Sequence, residues 1–186
     1  MSRVPLIAGS IAAAMALTAG LAAQPQYPRD IVVTAQYKTE QTSLTSRFTI
    51  HVTEAMPEWR HERLLGTLRQ GGYTAFLPAF RALPVVGYIQ LENRKVELRY
   101  ARSQATGNGE RLVLITDGPV YFISGGSSEE KKRAGYVLSI IELRLDASGA
   151  GAGTMAAAAR IKPDAEGNVV VDDYAERPIT ITVAGR

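Results

Sequence analysis

The stretch GYVLSIIELRLDASGAGAGTMAAAARIK, residues 135–162, decides the fold class of this 186-residue chain. From Ile141 to Leu145 apolar and polar residues alternate, and a period of two is typical of a strand with one buried face. Asp146 to Gly149 is a turn signal of the kind that joins antiparallel strands. The glycines that follow fall on every second position, which is also strand spacing. We therefore predict a β-hairpin, although the alanine run over 151–160 has a high intrinsic helix propensity.

Shorter strands are predicted on both sides of this hairpin. They lie in RFTIHVTEA, VVGYIQLENRKVELRYARS, ERLVLITDGPVYFIS, VVVDDY and PITITVAG, residues 47–55, 85–103, 110–124, 169–174 and 178–185. The second segment is predicted to be a hairpin with its turn at Asn93-Arg94. Many short strands separated by turn clusters indicate an antiparallel sandwich or an open barrel. We predict one β-rich domain over 46–186, of the α+β class and dominated by β.

One part of the chain has helical spacing instead. In PEWRHERLLGTLRQGG, residues 57–72, a proline and a glutamate suit the start of a helix, and large side chains from His61 to Leu68 share one face. Gly71-Gly72 is predicted to end this helix, and Pro78 to kink the helical turns that follow. We expect helices only between about Met56 and Leu83, packed on one side of the sheet.

The first residues have the pattern of an export signal. Arg3 precedes an apolar stretch, from Val4 to about Ala23, that ends in small residues as secretory signal peptides do. We predict a signal peptide over 1–23, cleaved after Ala22 or Ala23, and a periplasmic or secreted protein without stable membrane insertion. An uncleaved membrane anchor is the alternative, because the apolar stretch is nearly long enough to span a bilayer.

Residues 24–45 are predicted to form an extended N-terminal arm with one short strand at Ile31 to Thr34. The arm is polar and poor in large apolar side chains, so we expect it to bury little surface. Deletion of residues 24–42 is accordingly expected to leave the domain folded. The question left open is whether RDIVVTAQ, Arg29 to Gln36, docks to a partner or is only a tether.

Composition excludes several classes of site. The chain has no cysteine, which excludes disulfides, thiol nucleophiles and cysteine-based zinc sites. With only two histidines, His51 and His61, a three-histidine metal site within one chain is excluded as well. The net charge of +3 is far from the clustered positive charge that nucleic-acid binding requires. We therefore expect no nucleic-acid partner and no cofactor.

Three short patterns fail when they are compared with functional motifs. SGAGAGTM lacks the strand-then-helix context of a phosphate loop, and HERLL has Leu65 where a zinc-protease helix has its second histidine. Ser127 and Ser128 lack the nucleophile elbow of serine hydrolases. They adjoin the charge run Glu129 to Arg133, whose signs cancel, so a solvated loop is predicted there.

Carboxylates are the remaining candidates for acid–base chemistry. Asp117, Glu142, Asp172 and Asp173 are the side chains that a carboxylate-dependent hydrolytic enzyme would use. Glu176 extends the Asp172-Asp173 pair into an acidic cluster, but adjacent residues on a strand point to opposite faces. We assign no catalytic, cofactor-binding or metal-binding residue from the sequence.

Several segments together resemble a family of small exported bacterial proteins of unknown function. They are RLLGTLRQGGYTAFLPAFRALP, LPVVGYIQ, ELRYARSQ, RLVLITDGPVYF, IELRLDASGAGAGTMAAAARI and VVVDDYAERPITIT. The resemblance covers roughly residues 47–183. It implies an exported β-rich domain and carries over no catalytic residue.

The stretch RDIVVTAQ resembles the TonB box of outer-membrane receptors, which adds a strand to the sheet edge of its partner. This resemblance implies an envelope protein partner bound through Arg29 to Gln36. Our main hypothesis is a non-enzymatic domain that binds a ligand or partner through its sheet or its helical face. The alternatives are a carboxylate-dependent hydrolytic enzyme and an envelope interaction protein that docks through its N-terminal arm.

Overall fold

The computed structural model describes residues 26–38, 43–92, 94–120, 135–175 and 177–185. Strands dominate these residues, and a single helix interrupts them, which confirms the predicted α+β class dominated by β. In chain order the elements are β1 (Arg29–Lys38), β2 (Ser43–Val52), α1 (Glu58–Arg81), β3 (Gly87–Gln90), β4 (Lys95–Thr106), β5 (Gly109–Thr116), β6 (Leu138–Asp146), β7 (Gly151–Pro163), β8 (Val169–Tyr174) and β9 (Ile179–Val183).

Eight of these strands close into an antiparallel barrel. Their order around the barrel is β6, β5, β4, β3, β2, β1, β9 and β7, and β7 closes the ring by pairing with β6. β8 lies outside the ring, where it pairs with the second half of β7. The closed barrel is a more specific architecture than the predicted sandwich or open barrel.

Apolar side chains fill the barrel interior. Alternate residues of each strand point inward, such as Ile31 and Val33 on β1, and the opposite alternation faces outward. An eight-stranded barrel is just wide enough for side chains to fill. The inward-facing residues that form one buried cluster include Phe48, Ile50, Val52, Ile89, Leu98, Leu112, Leu114, Ile141, Leu143, Leu145, Met155, Ile179, Ile181 and Val183.

β1 is an integral strand of the barrel, so the predicted extended arm over 24–45 is wrong for the described part of that range. β1 pairs with β2 over its whole length and with β9 from Val33 to Gln36. Ile31 and Val33 are 6% and 0% exposed. Within β1, the polar residues Asp30, Thr34 and Gln36 alternate with the buried ones and lie on the outer face. The low apolar content therefore reflects strand alternation and not a lack of burial.

An ion pair closes the barrel at the end where β1 begins, which we call the Arg29 end. Arg29 forms a salt bridge with Glu110 at the start of β5, and the two side chains are 11% and 13% exposed. A second guanidinium nitrogen donates to the other carboxylate oxygen at 3.1 Å, and Ser103 also donates to Glu110. The Tyr27 ring lies 5.1 Å from the Arg29 guanidinium, so aromatic and charged groups block this end together.

The opposite end of the barrel is closed by Val120, which follows β5 and is fully buried among the interior side chains. Its backbone N–H donates to the Ala157 carbonyl at 2.9 Å and to Ser139 Oγ at 2.7 Å. Ser139 Oγ in turn donates to the Ala157 carbonyl at 2.6 Å. The buried polar groups at this end are thus hydrogen-bonded, as burial requires.

Helix α1 covers the outer face of the barrel over β4 to β7, and it lies within the predicted range of 56–83. Its buried residues Leu64, Leu65, Leu68, Phe76 and Phe80 pack on outward-facing residues of those strands, including Tyr100, Val113, Ile115, Ile140 and Ala156. The helix breaks at Gly72, whose φ of 64° and ψ of −166° are not helical. The predicted break at Gly71-Gly72 is therefore confirmed, whereas Pro78 stays within the second half of the helix.

A buried histidine joins the first half of α1 to the barrel. His61 is 2% exposed, and its two ring nitrogens lie 3.0 Å from the Tyr100 hydroxyl and 3.2 Å from the Gly167 carbonyl. Since a carbonyl only accepts, Nε2 carries the proton and Nδ1 accepts from Tyr100 in the neutral ring. Burial, aided by the positive charge of Arg102, lowers the pKa of His61. His61 thus has a structural role that connects α1, β4 and the turn between β7 and β8.

The predicted strand over 151–160 is confirmed, because β7 spans this glycine and alanine run. Its alternating glycines permit a close backbone approach. A Cβ added to Gly151 or Gly153 would lie 1.9 Å from the Arg144 carbonyl oxygen or 1.8 Å from that of Glu142, both on β6. Glycine at these positions lets the neighbouring strand come close, as it does in sharply coiled barrels.

Candidate functional site

The four carboxylates considered for catalysis do not converge on one site. Glu142, on the outer face of β6, accepts two hydrogen bonds from Arg111, each at 2.9 Å. These bonds lower the pKa of Glu142 and raise that of Arg111. Asp117, which follows β5, accepts bonds from Arg81 at 3.0 Å and from Arg99 at 2.9 Å.

The two aspartates of β8 have separate partners of their own. Asp172 lies 3.3 Å from the Lys162 ammonium, whereas Asp173 accepts a hydrogen bond of 2.6 Å from the Tyr136 hydroxyl. That bond and a second one from the Tyr174 backbone lower the pKa of Asp173. Each candidate carboxylate therefore has a separate partner, and for Glu142 and Asp173 the lowered pKa is unsuited to a general acid.

Other candidate groups give no metal site in the described ranges. No set of three histidine, aspartate or glutamate side chains there is close enough to hold a metal ion. His51 lies on the outer face of β2, 2.5 Å from Asp30, while His61 is in the buried contact with Tyr100. Asn93, Ser127, Ser128, the charge run 129–133 and Glu176 lie outside the described residues.

A concave site remains between the second half of α1 and the barrel. It has a volume of about 550 Å³ and is lined by Tyr73, Thr74, Leu77, Pro78, Arg81, Gly135 and Arg160. We call it the Tyr73 cleft. The helical residues are brought to it by the break at Gly72, after which the chain direction changes. β7 contributes Arg160, and Gly135 precedes β6, so the site combines three distant parts of the sequence.

Tyr73 and Arg160 form the centre of the Tyr73 cleft. The Arg160 guanidinium lies 5.4 Å from the centre of the Tyr73 ring, a cation–π distance. The Tyr73 ring also stacks on Phe76, with ring centres 6.4 Å apart, and Phe76 is fully buried. Burial raises the pKa of the Tyr73 hydroxyl, which keeps it protonated and able to donate. This aromatic stack fixes the position of the tyrosine against the core.

Two polar atoms of the Tyr73 cleft are buried without a hydrogen bond of normal geometry. They are the Tyr73 hydroxyl, which lies beside the Val137 backbone, and Nε of Arg160. A buried donor without an acceptor is unfavourable. Most such groups in native proteins have partners. The wall of the cleft at Tyr73 and Arg160 is therefore incompletely hydrogen-bonded, although neither atom is itself exposed to solvent.

Arg81 lines the other side of the Tyr73 cleft and is fixed by a small network of charges. Its Nε donates to Asp117, whose second oxygen accepts from Arg99. Arg99 also donates to Glu97 at 2.8 Å and to the Leu83 carbonyl just beyond α1 at 2.6 Å. The positive charges of Arg81 and Arg99 are thus balanced by the negative charges of Asp117 and Glu97.

A second concavity, of about 440 Å³, lies beside β1, β2 and the end of β3. Its lining consists of Val32, Arg47, Phe48, Thr49, Gln90, Leu91 and Glu92. Its one cationic residue, Arg47, and its one anionic residue, Glu92, have opposite charges. None of its described lining residues has a buried polar side-chain atom without a hydrogen bond. The Tyr73 cleft is the stronger candidate for this reason.

Sequence reasoning did not find the Tyr73 cleft. Tyr73 and Leu77 have the helical spacing of core residues, and nothing in the sequence indicated that Arg160, on a distant strand, would stack on Tyr73. The signal that was available is the helix break at Gly71-Gly72, since a break in a core-packed helix changes which side chains face the sheet.

The chain matches no family model, no curated protein and no solved structure. The resemblance of residues 47–183 to small exported proteins and that of RDIVVTAQ to the TonB box therefore stay predictions. Among the described residues no helix combines the length and the apolar character needed to cross a bilayer.

Proposed function

We propose that this protein is an exported, non-enzymatic binding domain that holds a small ligand on the outside of its barrel, in the Tyr73 cleft. The observation that carries the proposal is this cleft of about 550 Å³, in which an aromatic ring, two guanidinium groups and apolar side chains surround one concave surface. Small-molecule sites in proteins typically measure about 300–1,000 Å³ and combine apolar walls with a few polar groups.

The barrel interior is a poor alternative location for a ligand. Barrels that carry ligands leave a cavity open at one end, whereas here side chains fill the inside, and the Arg29–Glu110 pair and Val120 block the two ends. Binding inside would require displacement of buried groups that already pack on each other.

The two alternative functions have less support. A hydrolytic enzyme would need candidate carboxylates that converge on one site, but each of them is paired separately with a cation or a hydroxyl. Docking by strand addition through Arg29 to Gln36 would need a free edge on β1, but one edge is paired with β2 over the whole strand and the other with β9 from Val33 to Gln36. Export itself rests on the N-terminal pattern of Arg3 and the apolar stretch.

Mapping by NMR tests the proposed location. We would titrate the ¹⁵N-labelled protein with octanoate, octyl phosphate, octanol and octylamine and follow the backbone amide shifts. Binding of at least one probe is expected, with the largest shifts between Tyr73 and Arg81 and near Arg160. Largest shifts at interior residues such as Ile50 and Leu114, or no binding by any probe up to about 1 mM, a free energy of about −4 kcal/mol, would contradict the proposal.

A pair of matched tryptophan variants sharpens this test. Thr74→Trp places a large ring in the Tyr73 cleft, and Thr180→Trp places the same ring on the exposed outer face of β9. Loss of binding in the first variant and unchanged binding in the second is expected. Equal effects in both would show that the probe binds elsewhere.

A further inference from the structure

The charge of Arg160 is the least compensated in the Tyr73 cleft. Arg81 is paired with Asp117, and no described carboxylate lies within salt-bridge distance of Arg160. Asp173, opposite Arg160 in the strand register, is near enough for the two charges to attract, but it forms no salt bridge with Arg160, and its oxygens accept bonds from Tyr136 and from the Tyr174 backbone. The position of Arg160 therefore favours an additional negative charge in the cleft.

The orientation of Arg160 suits a planar anionic group. A guanidinium that stacks on an aromatic ring uses its face for that contact and keeps its N–H donors in the plane for hydrogen bonds. The guanidinium carbon of Arg160 lies over the Tyr73 ring at 5.4 Å from its centre, and because Nε is buried, the terminal nitrogens are the donors left for a ligand. A carboxylate or phosphate can accept two parallel bonds from such a fork. The Tyr73 hydroxyl, buried beside it, is a third donor.

Apart from Arg81, the rest of the lining is apolar or only weakly polar. Leu77 is half-buried, Pro78 is exposed, and both belong to the wall that α1 contributes. These side chains form no ion pair, and they offer contact to a hydrocarbon chain or ring. The cleft thus combines guanidinium groups suited to an anion with a surface suited to an apolar body.

We infer that the Tyr73 cleft binds amphipathic anions, molecules with one carboxylate or phosphate head on an apolar body, and that Arg160 is the residue that selects the head. This inference rests on the proposed function, because it names the ligand class of the same site. The head accepts hydrogen bonds from Arg160 and from the Tyr73 hydroxyl, and the apolar body lies along Leu77 and Pro78.

Calorimetry with probes that share one tail tests the inference. Octanoate and octyl phosphate are expected to bind at least about tenfold more tightly than octanol, since only the anions satisfy the Arg160 donors. Octylamine is expected not to bind. The ratio of the two anions identifies the preferred head. Octanol or octylamine binding as tightly as the anions, with shifts still in the cleft, would overturn the anionic class and leave the proposed location intact.

Variants separate a ligand contact from a merely structural role. Arg160→Gln is expected to weaken octanoate binding at least about tenfold and to leave octanol unchanged. Arg144→Gln, at an exposed position on β6, is the charge-matched control that leaves octanoate binding unchanged. Tyr73→Phe keeps the ring and removes the buried hydroxyl, so it is expected to weaken octanoate binding without loss of thermal stability. Wild-type affinity for octanoate in both Arg160→Gln and Tyr73→Phe would overturn the role of these residues, whereas absence of binding by every probe would instead refute the proposed function.

Discussion

Adjacent valines on β1 give a direct test of whether this strand belongs to the barrel. Val33 is 0% exposed and points inward, while Val32 is 39% exposed and points outward. We would replace each in turn by alanine. The two substitutions remove the same atoms from the same strand, so any loss of intrinsic strand propensity, up to about 1 kcal/mol, is common to both. The difference between the variants then measures burial alone.

The expected difference follows from the methyl groups that are lost. Val33→Ala removes two buried methyl groups at about 0.8 kcal/mol each and leaves a cavity, so the free energy of unfolding should fall by about 2–3 kcal/mol. Val32→Ala should change it by no more than about 0.5–1 kcal/mol. For a chain of this size, a difference of about 2 kcal/mol lowers Tm by about 4–8 °C.

Urea denaturation of the two variants is the assay, with the midpoint and slope compared at equal protein concentration. If residues 29–36 were a docking peptide or tether outside the core, both variants would unfold at the wild-type midpoint, and the integral strand would be refuted. The structure also reverses the expectation for the deletion of residues 24–42. That deletion removes a strand bonded to both β2 and β9, and loss of cooperative unfolding is expected.

Three further predictions concern other parts of the fold. Glu110→Gln should destabilise the protein by about 3 kcal/mol, because it leaves Arg29 buried without its counter-charge. A urea midpoint equal to that of the wild type would contradict a buried ion pair at the Arg29 end. Because the pKa of His61 is lowered in the folded state, the unfolded chain binds this proton more readily. The contribution of His61 to the free energy of unfolding should therefore be complete above its ordinary pKa of 6.5 and decrease as the pH falls below that value. Urea midpoints at about pH 7.5 and about pH 5.5 measure this decrease, which should be smaller in His61→Gln. Gly66→Ala should stabilise the protein by about 0.5–1 kcal/mol, since nothing lies within 4 Å of the added Cβ in α1. Gly153→Ala should destabilise it by about 1–3 kcal/mol, because the added Cβ would lie 1.8 Å from a β6 carbonyl oxygen. Thermal melts should show a higher Tm for the first variant and a lower Tm for the second.

The elements with strong local patterns could be predicted from the sequence. The hairpin of β6 and β7 follows from alternation and a turn signal, and α1 follows from apolar residues at helical spacing with a glycine break. These features depend on neighbours in the chain, so sequence shows them directly. Over residues 151–160 the helix propensity of alanine conflicted with the strand spacing of the glycines. The segment forms a strand because it pairs with β6 on one side and with β9 on the other.

Features that depend on distant partners could not be predicted. β1 has an ordinary polar composition, and its burial depends on β9, which lies at the other end of the chain. The Tyr73 cleft depends on the stacking of Arg160 on Tyr73 across 87 positions of sequence (160 − 73). Neither contact has a local signature, because an outward-facing arginine on a strand and a tyrosine on a helix are both common without any contact between them.

The position of the cleft follows from how α1 is held at its two halves. The first half is fixed by Leu64, Leu65 and the buried His61 contact with Tyr100. A straight helix would continue this packing along the barrel, but the positive φ of Gly72, a conformation that other residues adopt with strain, changes the direction of the second half. Phe76 then packs on the barrel, while Tyr73 faces Arg160. The closed, filled barrel thus serves as a rigid support, and the one break in its covering helix is what produces a concave surface with buried donors beside it.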